Sequence, residues 1–502
     1  MEELRWETTI KILGIEFNKN LNFKEHTINL RKKILRQIGA IKYIASSQRG
    51  VRMNHMIKIV NATIRSRLEY GYTVLSSAPI STLNNLEIMY NGAMRAALSL
   101  PRQTPIPLLR KEMNSLPIID RLNMLAQKFF IKHSALREKS VLFEIIESSP
   151  YKKAPKRQQK WTLTYKFRNI FQTMNIYKSQ LIPYTVIDYT ITRNIEVKTT
   201  NLLFQTAIAD CDKQKYFKEM METEWSSSMI IATDGSKSTD YTSVAIWNKT
   251  LKEKIAGRIP QENTIFTTES LGIWIAINRW MHINTDKVIL TDSMSVLKAL
   301  EHPNEKSPFI IKRILKDCES NKSTKITFIW IPSHVGIEEN EIADKLAKEA
   351  RNSNLILNWI APEDVLKQVT IQYTSKFQVD FTRTKYSANF NYLQQSNPKC
   401  RNFLKNRKEE VILARARTRT LPTRRFLYKC KLVDSPLCLT CGVVDTVDHI
   451  VLSCIKYEDL RCRLRKSCGC IPLSFEWLVV DDYSNKGKTR ALVKFLIAAG
   501  FG

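Results

Sequence analysis

Read by the spacing of its apolar residues, the chain changes character several times along its length. The stretch TTIKILGIEFN, 8–18, reads as a strand. From about Asn22 to Ile146 apolar residues recur at helical spacing. In HTINLRKKILRQIGAIKYI they place Ile34, Ile38 and Ile41 on one face, with Arg31, Lys32, Lys33 and Arg36 around the others. ESSPYKKAPKRQQK, 147–160, is polar and basic with two prolines and reads as a linker. Residues 161–225 are aromatic and basic without a clear period. A different rhythm follows. Short apolar runs at 228–233, 242–248 and 251–259 predict three strands, and an almost wholly apolar helix is expected over 268–283. Then come a strand at 287–291, helices at 293–300 and 307–320, a strand at 325–331 and a helix over 338–350. In that last helix Ile342, Ala343, Leu346, Ala347 and Ala350 form the inward stripe. A meander followed by alternating helix and strand predicts a mixed five-stranded α/β sheet with flanking helices, in which 228–233, 287–291 and 325–331 run parallel. Residues 351–430 look helical, and ALVKFLIAAGF near the C-terminus reads as another apolar helix.

Charge follows the same division. Of 78 basic and 48 acidic side chains, residues 1–225 hold 36 and 19, residues 226–350 hold 16 of each, and residues 351–502 hold 26 and 13. A neutral middle between two basic flanks points to a polyanion partner, nucleic acid above all. No apolar run is long enough for a bilayer, and the acidic N-terminus lacks a secretory core, so an intracellular chain, cytoplasmic or nuclear, is expected. The ten cysteines then sit in a reducing compartment, where clustering suggests metal rather than disulfides. The expected organisation is a helical region 1–146, a basic connection 147–225, an α/β domain 226–352, a basic helical region 353–430 and a Cys-rich unit within 431–502.

Two of the parallel strands run into a carboxylate: IIATDGSKS carries Asp234 and VILTDSMS carries Asp292. Parallel strands bring both to one edge of the sheet, the edge at which α/β folds build sites. Glu269, in TTESLGIW, falls in the first turn of the apolar helix, and Asp344, in NEIADKLAKEA, neighbours the inward stripe of the last one. Taken singly, these residues also suit turn formers, a helix-dipole partner and a helix-face charge. Taken together, like charges so close repel unless a cation lies between them.

ATDGS, TES, TDS and WIPSHVGIEENEIADKLAKEA, in this order, resemble the type 1 ribonuclease H domain. The resemblance implies hydrolysis of the RNA strand of an RNA–DNA hybrid with two Mg²⁺ ions, for which Mn²⁺ can substitute. It assigns Asp234 to both ions, Glu269 and Asp292 to one and Asp344 to the other. It makes His334 the mobile proton-handling histidine and places Gly235 and Ser236 to help read the RNA. Two positions depart from the family pattern. Glu339 stands where glycine is usual, and Met294 where a polar residue is common, which bears on rate and substrate preference.

CLTCGVVDTVDHIVLSC spaces Cys438, Cys441, His449 and Cys454 as one tetrahedral Zn²⁺ site requires, or as four free, half-buried side chains. Cys430, Cys462, Cys468 and Cys470 are left over nearby, and CGC, with Cys468 and Cys470, is a weaker alternative source of ligands. Just upstream, 399–431 holds twelve basic residues against two glutamates, and ARARTRTLPTRRFLYKCK interleaves Arg415, Arg417, Arg419, Arg424 and Arg425 with Phe426 and Tyr428. That suits either a nucleic-acid strand or a solvated helix face.

The whole order resembles the C-terminal part of a jockey-like, insect-type non-LTR retrotransposon reverse transcriptase polyprotein, with IRSRLEYGYTVLSS and NGAMRAALSLPRQTP similar to its thumb. No aromatic-x-Asp-Asp palm hairpin precedes 8–18, and the Asp-Asp pair, Asp481-Asp482, stands past the cysteines. The expectation is therefore a truncated element without polymerase activity: an active hybrid nuclease, or alternatively an idle remnant that only binds nucleic acid.

Overall fold

The computed structural model describes residues 8–136, 142, 144, 166–167, 170–189, 194–199, 209–320, 323–394, 403–469, 473–480 and 486–501. The linker expected at 147–160, parts of 161–225, Cys470 and Asp481-Asp482 lie outside the described residues. The chain forms two compact units, one from residues up to Ala126 and from Ile371 onward, the other from described residues between Gln127 and Thr370. This differs from the expected order of separate N-terminal and C-terminal regions, because both ends of the chain share one unit.

At the N-terminal end, the expected strand over 8–18 is a hairpin of β1 (Thr9–Ile12) and β2 (Ile15–Asn18). Leu13 and Gly14 both take positive φ, 46° and 83°, the conformation of a tight two-residue turn between strands. Helix α1 (Lys24–Ile44) buries Leu30, Ile34, Ile38 and Ile41, leaving Arg31, Lys32, Lys33 and Arg36 exposed. It packs on α2 (Ile80–Leu98).

The second unit is built on a six-stranded sheet in the order β3-β8-β7-β4-β5-β6. In chain order its elements are β3 (Ile195–Lys198), α3 (Asp210–Thr223), β4 (Met229–Lys237), β5 (Thr242–Asn248), β6 (Glu253–Ile259), α4 (Ile265–Trp280), β7 (Lys287–Thr291), α5 (Met294–Glu301), α6 (Phe309–Ser320), β8 (Ile326–Trp330) and α7 (Glu338–Glu349). Strands β3, β8, β7 and β4 run parallel, and β4, β5 and β6 antiparallel. Strand β3 is the sixth strand, drawn from the region whose period was unclear. Both faces of β4 are covered, which is why its sequence is continuously apolar rather than alternating. Ile230 and Ala232 join Phe217 and Met220 of α3 and Ala343 of α7, whereas Met229 and Ile231 join Ala276 and Trp280 of α4. Residues past 352 also belong to this unit. Leu357 N–H donates to the Arg258 carbonyl at 2.8 Å, and Asp364 accepts from Thr264 N–H at 2.8 Å and Thr267 Oγ1 at 2.6 Å, capping α4.

The chain then returns to the first unit. In α8 (Arg407–Arg417), Val411 and Ala414 complete the core formed by α1 and α2. The basic run of this helix points largely inward, against the expectation of a nucleic-acid face. Arg407 donates to the Ala97 carbonyl at 2.6 Å, and Arg415 to the Ser99 carbonyl at 3.0 Å. Arg417 is fully buried and pairs with Glu112 at 2.9 Å. Helix α2 ends at Leu98, and its last turn and the residue after it leave carbonyls that guanidinium groups can satisfy. Glu410 does the reverse: it accepts from Met53 N–H at 2.7 Å and pairs with Arg52 at 2.6 Å.

This burial makes a prediction. Arg417→Met leaves the Glu112 carboxylate buried without its guanidinium, and is expected to lose about 3–5 kcal/mol of stability. Glu112→Gln in the same chain is expected to recover part of that loss. Urea denaturation of the two variants and the parent measures both effects.

Candidate active site

The sheet and helix α4 bring three carboxylates to one place. Strand β4 passes its last parallel pairing with β7, Ala232 to Leu290, and continues alone against β5. Asp234 therefore sits inside the strand, paired with Ala245, and not in a terminating turn as its Asp-Gly sequence suggests. Asp292 follows the last residue of β7, at the same edge. Helix α4 begins at Ile265, so Glu269 stands in its second turn, not its first. Ligand oxygens of Asp234, Glu269 and Asp292 lie within 4.8 Å of one another. Gly235 is what lets α4 approach: a Cβ there would meet Thr268 Cγ2 at 2.8 Å and Glu269 Oε1 at 3.1 Å.

Asp234 and Glu269 are 6% and 5% exposed. Burial, then the charges of Asp292 and Asp344, push Asp234 up from 3.8 to about 7. Burial, then Asp234 and Asp292, raise Glu269 well above the usual carboxyl range. Gly235 N–H donates to Glu269 Oε1 at 3.1 Å, while Glu269 Oε2 is buried and has no partner among the described residues. Asp292 is oriented from both ends: Ser333 Oγ donates to its side chain at 2.7 Å, and Trp330 Nε1 to its backbone carbonyl at 2.8 Å. Repelling oxygens with one buried lone-pair set unused fit a hard divalent cation.

Asp344 lies on α7, held to the sheet by Ser243 Oγ donating to the Ala347 carbonyl at 2.6 Å. Its carboxylate pairs with Lys348 at 2.6 Å and groups with His334 and Glu341 within 4.8 Å. His334 is exposed on the loop before α7 and takes φ of 57°, uncommon for a non-glycine residue. Helix α3 ties this loop down: Gln214 Nε2 donates to the Val335 carbonyl at 2.7 Å. Gly336, at φ 78°, runs so close that a Cβ would fall 2.2 Å from Gln214 Nε2. Gln214 was illegible in sequence, because α3 lies in the stretch without a clear period. Lys348 was legible, four residues beyond Asp344 on one helix. Glu339 does not hang free in the loop; it is buried and pairs with Lys249 at 2.5 Å. Met294 is half-buried at the start of α5, and Gly235 and Ser236 are half-buried on β4 beside Asp234.

In the first unit, Cys438, Cys441, His449 and Cys454 come together, with Cys454 Sγ 3.8 Å from Cys438 Sγ and 3.7 Å from Cys441 Sγ. His449 Nδ1 meets Ser453 Oγ at 3.1 Å, which leaves the buried Nε2 to face the cysteine sulfurs. Burial pushes the Cys438 thiol up, but hydrogen bonds from the Cys441 backbone, His449 and the Thr440 backbone outweigh it and leave it at about 6. A thiolate-prone sulfur beside a buried imidazole nitrogen suits a tetrahedral ion such as Zn²⁺. Arg461, itself buried, braces the cluster by donating to the Cys454 carbonyl at 2.5 Å and the Val451 carbonyl at 3.0 Å. The remaining expected side chains do not share this site. Arg419 pairs with Asp448 at 2.9 Å, Arg424 is half-buried and Arg425 is exposed.

A mixed sheet with helices on both faces and clustered carboxylates at its parallel edge defines an RNase H-like α/β domain. The RNase H family model matches residues 226–352, about a quarter of the chain. The chain thus contains an RNase H domain, which supports a hydrolase of the nuclease class with nucleic acid as its partner. No curated protein matches the chain. Among the described residues no helix is long and apolar enough to cross a membrane.

The raised Asp234 carboxyl predicts how the metal-free chain responds to pH. The folded state keeps a proton that the unfolded state releases between pH 4 and 7, so stability falls as pH rises through that window. Asp234→Asn removes the repulsion and is expected to be more stable than the parent at pH 8 by about 1–3 kcal/mol, with little difference at pH 4. Urea denaturation in Mg²⁺-free buffer at the two pH values checks the sign.

Proposed function

We propose that residues 226–352 hydrolyse the RNA strand of RNA–DNA hybrids with two divalent cations, and that the basic flanks hold the nucleic acid. The observation that carries this reading is the cluster of buried Asp234 and Glu269 with half-buried Asp292 inside a domain matched by the RNase H family. Asp234, Glu269, Asp292 and Asp344 would hold two Mg²⁺ ions, or Mn²⁺ in their place. Bound there, the ions supply an activated water and stabilise the leaving 3′ oxygen.

The protein's own groups then have separable roles. The carboxylates must shed the proton that burial retains, so cation binding releases protons and tightens as pH rises. Lys348 yields Asp344 to a cation and is left free to face a phosphate. Ser333 and Trp330 keep Asp292 in one orientation. His334, exposed on its pinned loop, takes or gives a proton at the edge of the cluster. Gly235 and Ser236, next to Asp234 on β4, are placed to meet the 2′-hydroxyls that distinguish RNA from DNA. Cys438, Cys441, His449 and Cys454 hold one structural Zn²⁺. We further infer that the chain derives from a non-LTR retrotransposon reverse transcriptase. The order of helical region, RNase H domain, basic helices and Cys-Cys-His-Cys unit supports that reading.

The decisive experiment is a gel assay of the full chain on a labelled hybrid, with single-stranded RNA and duplex DNA as controls. Mg²⁺-dependent cutting of the hybrid alone is expected. Asp234→Asn should remove it by orders of magnitude, whereas His334→Ala should cost about 10²–10⁴-fold. Ca²⁺ should permit binding without efficient cutting, because its looser coordination does not impose octahedral geometry. Binding without cutting in both Mg²⁺ and Mn²⁺ would leave the chain as a nucleic-acid-binding remnant.

For the second metal, elemental analysis of the full chain should give about one Zn²⁺ per molecule. Cys441→Ser is expected to abolish it and Cys462→Ser to leave it. Zinc retained in Cys441→Ser would assign the ligands elsewhere.

A further inference from the structure

The first unit holds a cavity of about 290 Å³ next to the Cys-Cys-His-Cys segment, and none of the four metal-ligating side chains lines it. Its wall runs from Thr446 to Asp448, immediately before His449. Four cations face it, Lys385, Arg419, Arg425 and Lys429, against one carboxylate, Asp448. Arg419 uses that carboxylate, at 2.9 Å, so three cations remain without an acidic partner among the described residues. Lys385, Arg425 and Lys429 are also exposed.

Arg419 is placed by the left-handed turn that ends α8. It takes φ of 51° at the end of α8, and its guanidinium lies 4.9 Å from the Phe390 ring centroid. Its Nε is buried with no partner among the described residues. The guanidinium so placed keeps one buried donor unused at the cavity, which a ligand acceptor can satisfy. The half-buried rings of Tyr386 and Phe426 stand in the cavity wall beside hydroxyls of Thr418, Thr420 and Thr423.

Cations select a phosphate, and flat rings at a concave mouth select a planar partner. We propose that this cavity binds one unpaired nucleotide of single-stranded nucleic acid, its base stacked on Tyr386 or Phe426 and its phosphate on Lys385, Arg425 and Lys429. The proposal rests on the reading that this chain handles nucleic acid. It gives the basic flank a definite role, that of holding a single strand by a contact that a hybrid does not offer. Bases inside a duplex are already stacked on each other, so a duplex presents only its phosphates to this surface. Several of the described cations between 403 and 431 thus have separate tasks. Arg407, Arg415 and Arg417 serve the fold, Arg419 shapes the cavity against Asp448, and Arg425 and Lys429 serve the ligand.

The test uses the full chain carrying Asp234→Asn, so that no strand is cut and a failure of the nuclease reading leaves the outcome untouched. Twelve-nucleotide single strands of RNA and of DNA, each with a central 2-aminopurine, are titrated beside a blunt hybrid of the same length. Binding should quench the 2-aminopurine. Phe426→Ala together with Tyr386→Ala should abolish the quenching and weaken single-strand binding about 5- to 100-fold, while hybrid affinity changes less than about twofold. Lys429→Glu, a surface change that spares the core, should weaken single strands and flatten their salt dependence. A loss confined to RNA or to DNA assigns the strand. Equal losses on single strand and hybrid, or no quenching by the parent chain, would overturn the proposal and reduce the cavity to basic surface.

Discussion

Asp234 and Glu269, buried beside Asp292, cannot both carry full charge at this edge of the sheet unless something positive joins them. Several features of the fold create this condition. Strand β4 outruns its parallel neighbour so that Asp234 is sealed on one side by β5. Gly235 removes the Cβ that would hold α4 away, and α4 in turn brings Glu269 against the strand. Burial and mutual repulsion then raise both carboxyls, and the proton they retain is the nearest cation at hand. A domain built this way holds its ligands ready but leaves them strained, so the energy of ion binding is partly relief of repulsion.

Much of this was legible in the residues because the elements concerned are local. Short apolar runs ending in Asp234 and Asp292 follow from strand periodicity, and Asp344 from the stripe of its own helix. What could not be read was anything set by distant partners. The length of β4 depends on β5, not on the Asp-Gly pair that suggests a turn. The start of α4 depends on Asp364, a cap almost a hundred residues later. Strand β3 and α3 come from a stretch with no period of its own, because their order is imposed by the sheet and loop they join. Leu13 and Gly14 hid a hairpin inside one apparently continuous apolar run.

The basic flanks teach a related lesson about charge. Net charge counts side chains, whereas a nucleic acid meets only those that reach solvent. Arg407, Arg415 and Arg417 close helix ends and a buried carboxylate, so part of the +30 formal charge is structural. Arginine suits that role, since its planar fork can satisfy two carbonyls at once and stays ionised even when buried. The alternation of arginine with small residues in ARARTRT therefore reflects helix packing as much as recognition.

Strand β3 has a bearing on how the domain can be handled apart from the rest. It covers the outer side of β8, pairing Ile195 through Lys198 with Ile326 through Ile329. A fragment that begins at residue 226, where the family match begins, would leave that row of N–H and C=O groups bare. Such a bare row is a template for strands of other molecules, and self-association follows from it. The same fragment would lose α3 and, with Gln214, the tether on the loop of His334. Sheet closure and loop control thus share one upstream segment, and a boundary drawn by sequence similarity would cut through both.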